Sequence, residues 1–570
     1  MAEEVWMLQT KKADFKQIGA RFRIDPVTAR IIRNRGIEGE AAIDRYLNGT
    51  LDDLYDPMLL KDMERAVSIL CEAVDTGKKI RIVGDYDIDG VCSTYILLQA
   101  FERLGSDVDF EIPDRIKDGY GINESIIEQA HADGVEVILT CDNGISAFHQ
   151  VELAKKYGMT VVITDHHEVP LDGEKEKIPP ADAVIDPKQA DCPYPFPEIC
   201  GAVVAYKLVQ VLYARRGVPQ MEWLDLLEFA AIATVGDVMK LQDENRILVK
   251  YGLKKMAQTK NLGLRRLAEK NNLDLGAITA YHIGFVIGPC LNAGGRLKTA
   301  KEALALLRAQ SEEEAERLAE ELKELNDTRK DMTEQGTEAA KLQVESWYQK
   351  DKVLVVFLPE CHESLAGIIA GRLREYYQKP AIVLTRGEEA VKGSGRSIDE
   401  YHMFKKLTEV SDLLLKFGGH LLAAGLSLEE KNIDEFRRRL NENAGLTEED
   451  FKAKVWIDVP MPVGYVTERL VRELSCLEPF GQGNEKPLFA EKSLRIRASR
   501  VLGRNRNVVK MTLEETDGHA IEALYFGDGT AFEEERAGRR EIDVVYYPDI
   551  NEYNGRKTLQ AVIRRYKFRG

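Results

Sequence analysis

The sequence predicts a multidomain α/β protein in which a long helix connects a parallel-sheet domain to a second α/β domain, with a small β-barrel at the C-terminal end. Three observations lead to this prediction. The chain has 570 residues, which is too long for one hydrophobic core and suggests about three or four domains. Residues from about 50 to 240 alternate strand-like and helix-like patterns, and residues beyond about 450 are rich in strands and turn signals.

The first α/β region is predicted from short runs of β-branched residues that alternate with apolar-periodic stretches. Alternation of this length is typical of βαβ units, whose strands pair in a parallel sheet. We predict strands at 79–83, 108–112, 135–140 and 160–164, and helices at 91–104, 123–132 and 146–157. The proline-rich segment 179–197 is predicted to be a surface connection.

A change of composition marks the connecting helix. Glu, Lys and Ala dominate 311–345, and apolar residues recur there every three or four positions, as in an amphipathic helix. A second α/β pattern follows, and the turn signal Asn554-Gly555 falls in the strand-rich remainder. The predicted boundaries are 1–50 for an N-terminal segment, 51–305 for the first domain, 306–348 for the connecting helix, 349–448 for the second domain and 449–570 for the barrel.

Composition places the chain among ordinary globular proteins. Hydrophobic residues make up 44% and charged residues 31% of the chain, and no apolar run is long enough to cross a bilayer. The acidic start of the chain lacks the features of a signal peptide. Eight scattered cysteines form no Cys-x-x-Cys pair, so neither a disulfide framework nor a zinc module is indicated. We therefore expect a cytoplasmic location.

The net charge of −16 argues against nonspecific binding of nucleic acid, because phosphate contacts come from Lys and Arg. Overall charge is not local charge, however. Residues 556–570 carry six basic side chains and no acid. An acidic body with basic tracts along one groove is compatible with a nucleic-acid substrate.

Three aspartates, Asp85, Asp87 and Asp89, follow the first predicted strand. In an extended chain their side chains would lie on one face, where three carboxylates repel each other unless cations neutralise them. This spacing predicts a metal site. A solvated acidic turn or an N-cap of the next helix is the plainer alternative, and a calcium loop is disfavoured because its bidentate Glu is missing.

Acidic and imidazole side chains end two further strands and an apolar stretch. Asp142 ends one strand, although its setting also fits an Asx-turn or a helix cap. Asp165, His166 and His167 follow the next strand, and the two histidines are expected to point to opposite sides, one towards a metal and the other towards a phosphate. Asp237 ends the apolar stretch and needs a partner, either an arginine or a metal. Because strands of open α/β sheets bind ligands at their carboxyl ends, these side chains predict two divalent cations that clamp and hydrolyse a phosphodiester.

The second α/β region carries a different signature. The segment 392–397 offers backbone amides, two hydroxyls and a guanidinium, which together predict a phosphate cradle. The segment 417–420 combines close backbone approach with the imidazole of His420. Either segment alone would also fit an ordinary turn, but their joint presence after the acidic motifs favours substrate binding.

Taken in order, these motifs resemble the DHH phosphoesterase superfamily, and within it the single-strand-specific exonucleases. The resemblance covers nearly the whole chain. It extends through 85–89, 112–115, 119–121, 142, 165–167, 200–202, 236–238, 244–246, 289, 292–297, 362, 367–370, 393–397, 417–420, 477–484 and 551–555. The last two segments look like the oligonucleotide-binding (OB) fold of that family, so the barrel is expected to be OB-like.

The resemblance implies a 5′-to-3′ exonuclease that hydrolyses single-stranded DNA with two Mn²⁺ or Mg²⁺ ions and acts in recombination and repair. Carried over by position, the metal ligands would be Asp85, Asp87, Asp89, Asp142, His166 and Asp237. The catalytic residues would be Asp142 as bridging ligand, with His167 and Arg296 at the scissile phosphate. The phosphate-binding residues would be Arg115, Arg296, Ser394, Arg396 and His420. Besides single-stranded DNA, the resemblance implies a single-stranded DNA-binding protein and a RecQ-type helicase as partners of a monomer that binds no membrane.

Four positions depart from the usual pattern of the superfamily, namely Ile88, Cys290, Gly294 and Cys361. They leave the ligand set whole and bear on strand binding. Two alternatives stay open: a phosphodiesterase of short oligonucleotides or cyclic dinucleotides from the same superfamily, and a non-catalytic DNA-binding scaffold. The exonuclease is favoured because a dinucleotide needs no extended channel and a scaffold should have lost ligands.

Overall fold

The computed structural model describes residues 4–553 and 555–569. Asn554, one half of the predicted Asn554-Gly555 turn, lies outside the described residues. Residues 54–453 form one compact unit, and residues 4–53 together with 454–569 form a second. None of the helices in the described part of the chain combines the length and the apolar character needed to span a bilayer.

The elements below are numbered in chain order. The strands are β1 (Glu4–Leu8), β2 (Ile80–Val83), β3 (Val108–Glu111), β4 (Val137–Cys141), β5 (Thr160–Thr164), β6 (Leu171–Asp172), β7 (Lys175–Glu176), β8 (Ala183–Ile185), β9 (Leu354–Phe357), β10 (Ala381–Arg386), β11 (Val391–Arg396), β12 (Leu414–Gly419), β13 (Ala423–Leu428), β14 (Ala453–Ile457), β15 (Val459–Pro460), β16 (Phe489–Leu502), β17 (Val508–Glu514), β18 (Ala520–Phe526), β19 (Glu541–Tyr553) and β20 (Arg556–Arg569).

The α-helices are α1 (Phe15–Phe22), α2 (Pro26–Asn34), α3 (Glu40–Asn48), α4 (Met63–Asp75), α5 (Ile88–Arg103), α6 (Glu124–Ala132), α7 (Phe148–Lys156), α8 (Gly201–Arg216), α9 (Gln220–Leu224), α10 (Leu227–Gly236), α11 (Asp243–Met256), α12 (Leu262–Lys270), α13 (Ala280–His282), α14 (Gly288–Leu297), α15 (Lys301–Arg308), α16 (Glu312–Gln343), α17 (Ala366–Tyr377), α18 (Met403–Thr408), α19 (Ile433–Glu442), α20 (Glu468–Leu474) and α21 (Gly529–Arg536). One π-turn, Ile283–Ile287, joins α13 to α14, and another, Val344–Tyr348, ends α16.

A five-stranded parallel sheet organises the first part of the larger unit. Its strand order is β3-β2-β4-β5-β8, and each neighbouring pair runs parallel. The strands β2 and β4 are buried along their whole length, because their Val, Ile and Leu side chains are covered on both faces. The parallel sheet predicted from the sequence is therefore confirmed, and its carboxyl edge carries the acidic motifs.

The second α/β region has a mixed sheet in the order β12-β13-β11-β10-β9. Only β9 and β10 run parallel, and β11 lies between two antiparallel neighbours. A central antiparallel strand uses its amides in the sheet. The prediction that the backbone amides of 392–397 form a phosphate cradle was therefore wrong, and side chains of β11 are left to bind a ligand.

The helix α16 spans 32 residues between these two sheets. Ser311 caps its N-terminus by accepting a hydrogen bond from the amide of Glu314, and three glutamates occupy its first turn, where negative charge is favourable. Its buried face begins with Ala315, Leu318 and Leu322. Further along, Ala340 packs into the core of the second sheet.

The smaller unit is a closed barrel with helices packed against it. The order β16-β17-β18-β20-β19 closes because β16 also pairs with β19. The N-terminal helices contribute Ile31, Ile32, Ile43 and Tyr46 to the same hydrophobic core as the barrel strands. Sequence patterns gave no sign of this pairing, because segments more than 400 residues apart share no local signal.

We predict that Glu491 makes the stability of the smaller unit fall as the pH rises. Burial and the neighbouring Glu515 carboxyl raise the pKa of Glu491 to about 8. A folded-state pKa above the unfolded value gives stability that is complete below about pH 4.5 and is lost as the pH rises through about 8. Glu491→Gln, which stays neutral, should unfold at a higher temperature than the unsubstituted protein at pH 9 and at a similar temperature at pH 5.

Scanning calorimetry between pH 5 and pH 9 measures this difference. The matched control is Glu534→Gln, which alters an exposed glutamate on α21 of the same unit. The prediction would be contradicted if the difference in unfolding temperature between Glu491→Gln and the unsubstituted protein stayed constant across this pH range.

Candidate active site

The aspartate triplet lies where β2 passes into α5. Asp87 is the N-cap of that helix, and its Oδ1 accepts hydrogen bonds from the amides of Asp89 at 2.9 Å and Gly90 at 3.1 Å. Asp89 is therefore in the first helical turn, so the prediction of three aspartates alternating along an extended chain was wrong. With this cap the chain enters α5, and the carboxylates of Asp85 and Asp87 still lie close to each other at the edge of the sheet.

A second helix end holds Asp89. The amides of Gly201 and Ala202, at the start of α8, each donate to its carboxylate at 2.7 Å. Asp89 is fully buried, and such amides with the positive end of a helix dipole stabilise its negative charge. This role of Gly201 and Ala202 could not be predicted from the sequence, because a helix start 112 residues away in the chain shows no sequence signal for this contact.

Asp142 follows β4 in a left-handed backbone conformation, with φ of 60°. Its Oδ1 lies 3.1 Å from His166 Nε2. A Cβ on Gly201 would come within 2.7 Å of the Asp142 Cβ, so only glycine allows this approach. Strain of this kind in a buried carboxylate is typical of a functional site.

The two histidines lie on the same side of the chain. His166 Nε2 is 3.4 Å from Asp89 Oδ2 and 3.9 Å from Asp237 Oδ2, and the ring centroids of His166 and His167 are 4.4 Å apart. The prediction that they point to opposite sides was wrong, because β5 ends at Thr164 and its alternation does not continue into the loop.

Asp165 orients both histidines. Its Oδ1 accepts hydrogen bonds from the amide of His166 at 2.7 Å and from Nδ1 of His167 at 2.7 Å, and its Oδ2 accepts from the amide of Ile145. The hydroxyl of Tyr120 donates to the Asp142 carbonyl and lies 3.0 Å from His167 Nδ1. Burial alone would lower the pKa of His167, but the hydrogen bond to Asp165 and nearby carboxylates raise it to about 9. Asp165 and Tyr120 belong to motifs that carry the family resemblance, but their orienting contacts were not predicted from the sequence.

The candidate ligand atoms form three overlapping groups, and in each group they lie within 4.8 Å of one another. The groups are Asp142, His166 and His167; Asp89, His166 and Asp237; and Asp85, Asp87 and Asp142. No arginine pairs with Asp237 in the described residues, so the alternative of a structural ion pair finds no support. All six predicted ligands are brought together, and Asp142 belongs to two of the groups.

The electrostatics of this cluster fit two cations. Burial and the neighbouring aspartates raise the pKa of Asp85 and of Asp237 to about 8, and they raise the pKa of Asp142 well above its usual value. Buried carboxylates this close must bind protons or cations. Oxygen and imidazole donors suit Mn²⁺ and Mg²⁺.

Three arginines lie near the cluster, and no carboxylate forms an ion pair with any of them in the described residues. The guanidinium of Arg115 stacks 4.0 Å from the Tyr86 ring, and Arg296 donates to the carbonyl of Ser364 at 2.9 Å. Arg396 donates to Ser394 Oγ at 3.2 Å. Burial, Arg115 and Arg329 lower the pKa of Arg296 to about 10, which indicates an anion site.

The structure places His420 apart from these groups. It lies at the exposed end of the β12–β13 hairpin, and its Nδ1 accepts a hydrogen bond from the amide of Leu422 at 3.3 Å. Among the described residues, no hydrogen bond joins it to Ser394, Arg396 or the acidic cluster. Its role in phosphate binding stays a prediction.

Comparisons with known proteins agree with this site. Three family models match: the DHH family, N-terminal domain, over residues 79–234, the DHHA1 domain over 350–445, and the RecJ OB domain over 457–565. The single-stranded-DNA-specific exonuclease RecJ of Bacillus subtilis (strain 168) is 36% identical over 564 residues, which cover 98% of this chain and 70% of that protein. The chain belongs to the RecJ family. RecJ of Escherichia coli (strain K12) is 34% identical over 563 residues, covering 95% of each chain.

Solved structures of the RecJ family have the same fold. The crystal structure of RecJ in complex with Mn²⁺ from Thermus thermophilus matches with a TM-score of 0.84 at 28% identity, covering 99% of this chain and 80% of that one. The Mg²⁺ complex from the same organism matches with a TM-score of 0.78 at 27% identity, covering 99% of this chain and 78% of that one. The multidomain α/β fold with an OB domain is therefore confirmed, as is Mn²⁺ or Mg²⁺ as cofactor.

We predict that stabilisation by Mn²⁺ grows with pH. Without metal, the raised pKa values of Asp85 and Asp237 give stability that is complete below about pH 3.8 and is lost as the pH rises through about 8. Cations compete with these protons and relieve the repulsion that deprotonation creates. The increase in unfolding temperature caused by Mn²⁺, relative to chelator, should be larger at pH 8.5 than at pH 5.5.

Differential scanning calorimetry with Mn²⁺ or EDTA tests this expectation. Asp142→Asn should lose most of the pH-dependent part of the shift, whereas Asp172→Asn, on the exposed β6–β7 hairpin, should keep it. An equal Mn²⁺ shift at both pH values would show that these carboxyls do not bind the ion.

Proposed function

We propose that the acidic cluster at the carboxyl edge of the parallel sheet is a two-metal centre that hydrolyses single-stranded DNA from its 5′ end. The observation that carries this proposal is the set of three overlapping ligand groups, in which Asp142 and His166 each belong to two groups. As a member of the RecJ family, the chain is a metal-dependent exonuclease that acts on single-stranded DNA. The assignment of each side chain to a role is the proposed part.

Each side chain has a task that its contacts support. Asp85, Asp87, Asp89, Asp142, His166 and Asp237 would hold the two cations, and Asp142, which belongs to two of the ligand groups, would be the ligand shared between them. When bound, the two cations supply positive charge that acidifies water and neutralises the reacting phosphate.

His167 and Arg296 act on the phosphate itself. Asp165 fixes His167 through Nδ1, which leaves Nε2 to donate to a phosphate oxygen while the ring is protonated. Arg296 is partly buried near Arg115 and Arg329, and its guanidinium stabilises the charge that builds on the scissile phosphate.

The 5′ end of the strand is proposed to lie against Arg115, Ser394 and Arg396. Arg396 and Ser394 hydrogen-bond to each other beside Gly367 of α17, and neither contacts a carboxylate among the described residues. A terminal phosphate carries more charge than an internal one, so unpaired guanidinium groups favour it. His420 is retained only as an outer contact of this region.

The rival functions have less support. A phosphodiesterase of short oligonucleotides or cyclic dinucleotides would not need the OB domain matched over residues 457–565. A non-catalytic scaffold would not need six ligands brought together with raised carboxyl pKa values.

Some parts of the proposal rest on resemblance alone. They are action in recombination and repair, and partnership with a single-stranded DNA-binding protein and a RecQ-type helicase. The cytoplasmic location expected from composition and the monomeric state also stay proposals. The proposed domains 51–305, 349–448 and 449–570 each contain one of the three matched family models.

We predict that Asp142→Ala abolishes exonuclease activity. Loss of a bridging ligand removes several kcal/mol of charge stabilisation, so the rate should fall by about 10³-fold or more. The assay uses Mn²⁺ and single-stranded DNA with a 5′ phosphate and a 3′ label, beside a blunt duplex and a dinucleotide. Only the single strand should shorten, from its 5′ end, and the control Asp172→Ala should be fully active.

Inactivity on single-stranded DNA together with cleavage of dinucleotides would favour the small-substrate enzyme. Inactivity of the unsubstituted protein on both would favour the scaffold.

We further predict that Gly367→Ala weakens recognition of the 5′ phosphate. A Cβ at Gly367 would lie 2.8 Å from Arg396 Nη2 and 2.9 Å from Ser394 Oγ, so both side chains would have to move. The rate on 5′-phosphorylated DNA should fall by roughly tenfold, which corresponds to one lost charge-assisted hydrogen bond. The ratio of rates on 5′-phosphate and 5′-hydroxyl DNA should approach one.

The matched control is Gly371→Ala, one turn further along α17. No atom lies within 4 Å of a Cβ there, so this variant should behave like the unsubstituted protein. An unchanged phosphate preference in Gly367→Ala would place the 5′ end elsewhere.

A further inference from the structure

Two arginines outside the predicted site, Arg329 and Arg372, form no ion pair with an acid in the described part of the chain. The only hydrogen bond of Arg329 among the described residues runs from its Nε to Asn326 Oδ1 at 3.1 Å, and the side chain is half-buried on α16. Arg372 is exposed on α17 and pairs with no described carboxylate. Burial and the charge of Arg372 lower the pKa of Arg329, so these two cations repel each other without compensation.

This arrangement is unusual for the chain. The protein has 95 acidic and 79 basic side chains, and exposed cations elsewhere on α16 are paired with acids of the same helix. A half-buried guanidinium left among cations costs desolvation that an anionic ligand would offset. The missing carboxylates therefore indicate a place for a ligand anion.

A cavity lies beside Arg329 and Arg296. It has a volume of about 110 Å³, and its lining includes Arg296, Arg329, Ile368 and Gly236, the residue that directly precedes the proposed ligand Asp237. Arg372 is one helical turn after Ile368 on the same face of α17. We call Arg296, Arg329 and Arg372 the arginine row.

We propose that Arg329 and Arg372 bind phosphates of the DNA strand on the 3′ side of the scissile bond. This inference rests on the proposed function and adds a subsite to it. The first phosphate of the substrate is assigned to Arg115, Ser394 and Arg396, and the scissile one to the metals and Arg296. The strand is cut at its first internucleotide bond, so every further phosphate lies on the 3′ side of that bond. Arg329 and Arg372, which continue the arginine row beyond Arg296, therefore contact the part of the strand that leads away from the metals.

The chemistry of the row favours a phosphodiester over a base or a carboxylate ligand. Guanidinium groups match the two non-bridging oxygens of a phosphate. The residues that line the cavity include no aromatic side chain on which a base could stack. Because these contacts are to phosphates, binding of the strand does not depend on its base sequence.

The test combines Arg329→Gln with DNA that lacks one charge. The substrate is a 5′-phosphorylated thymidine octamer with Mn²⁺, either unmodified or with one neutral methylphosphonate at the second, third or fourth internucleotide linkage. On unmodified DNA, Arg329→Gln should lower kcat/KM for the first cut by about 10- to 100-fold, mainly through KM, since one charge-assisted contact is lost. The control is Lys330→Gln, whose lysine pairs with Asp327 at the surface, and it should change little.

The decisive readout is non-additivity. One methylphosphonate position should slow the unsubstituted protein and should have no further effect in Arg329→Gln, because both changes remove the same contact. The slope of log kcat/KM against log salt should also decrease by about one. Arg372→Gln, an exposed substitution that leaves the core intact, provides the same readout at another linkage if Arg329→Gln fails to fold.

Additive effects at all three linkages would overturn the subsite. So would an Arg329→Gln variant with unchanged kcat/KM, or one whose loss is the same at every ionic strength. Failure of the proposed function is a separate result, because then the unsubstituted protein would leave the unmodified octamer uncut.

Discussion

The mutual repulsion of buried carboxylates is the constraint on which this structure depends. Asp85, Asp89 and Asp142 are nearly inaccessible to solvent and lie at the ends of two strands and the start of a helix. Charges so close and so poorly hydrated would destabilise the fold unless protons or cations neutralised them. This repulsion destabilises the folded state when no cation is bound, and cation binding relieves it. Metal binding and folding are therefore linked.

Helix ends take up part of this charge before any ion binds. The start of α5 places Asp87 as its cap, and the start of α8 gives two amides to Asp89, so two positive helix ends face the cluster. Glycine at position 201 makes the second contact sterically feasible. The site is therefore built on rigid elements, which hold ligand atoms at fixed separations and keep the histidines oriented through Asp165.

The parts of the fold that the sequence predicted are those governed by local pattern. Runs such as 160–164 and 135–140 specify buried strands, and strands that run parallel must bring their carboxyl ends to one edge, which was enough to group Asp85, Asp142 and His166. The errors arose where tertiary context replaced the pattern. The alternation of side chains along a strand was expected to continue to Asp89, which instead lies in a helix. The backbone amides near Ser394 were expected to bind a phosphate, but they belong to a central strand of the sheet.

Contacts between distant segments had no signal in the sequence at all. The helix start at Gly201 that holds Asp89 is one example, and the N-terminal helices that share the core of the barrel are another. Both depend on surfaces that become adjacent only after folding, and a single sequence without an alignment carries no information on such pairs. Arg329 is a further case, since an arginine in a charged helix looks like a solvated residue until the absence of acids around it is visible in three dimensions.

The separation of charge around the site explains how an acidic protein can act on an anion. The acids of the cluster suit the divalent cations that serve as cofactor. Arg115, Arg296 and Arg396 form no ion pair with a carboxylate among the described residues, and they are the groups that we propose for the phosphates. Other acidic residues, such as Glu312, Glu316 and Glu442, form ion pairs at the surface, where they are partly neutralised and are screened by salt. Local pairing, more than the net charge of −16, therefore decides where DNA can bind, and none of these contacts reads a base.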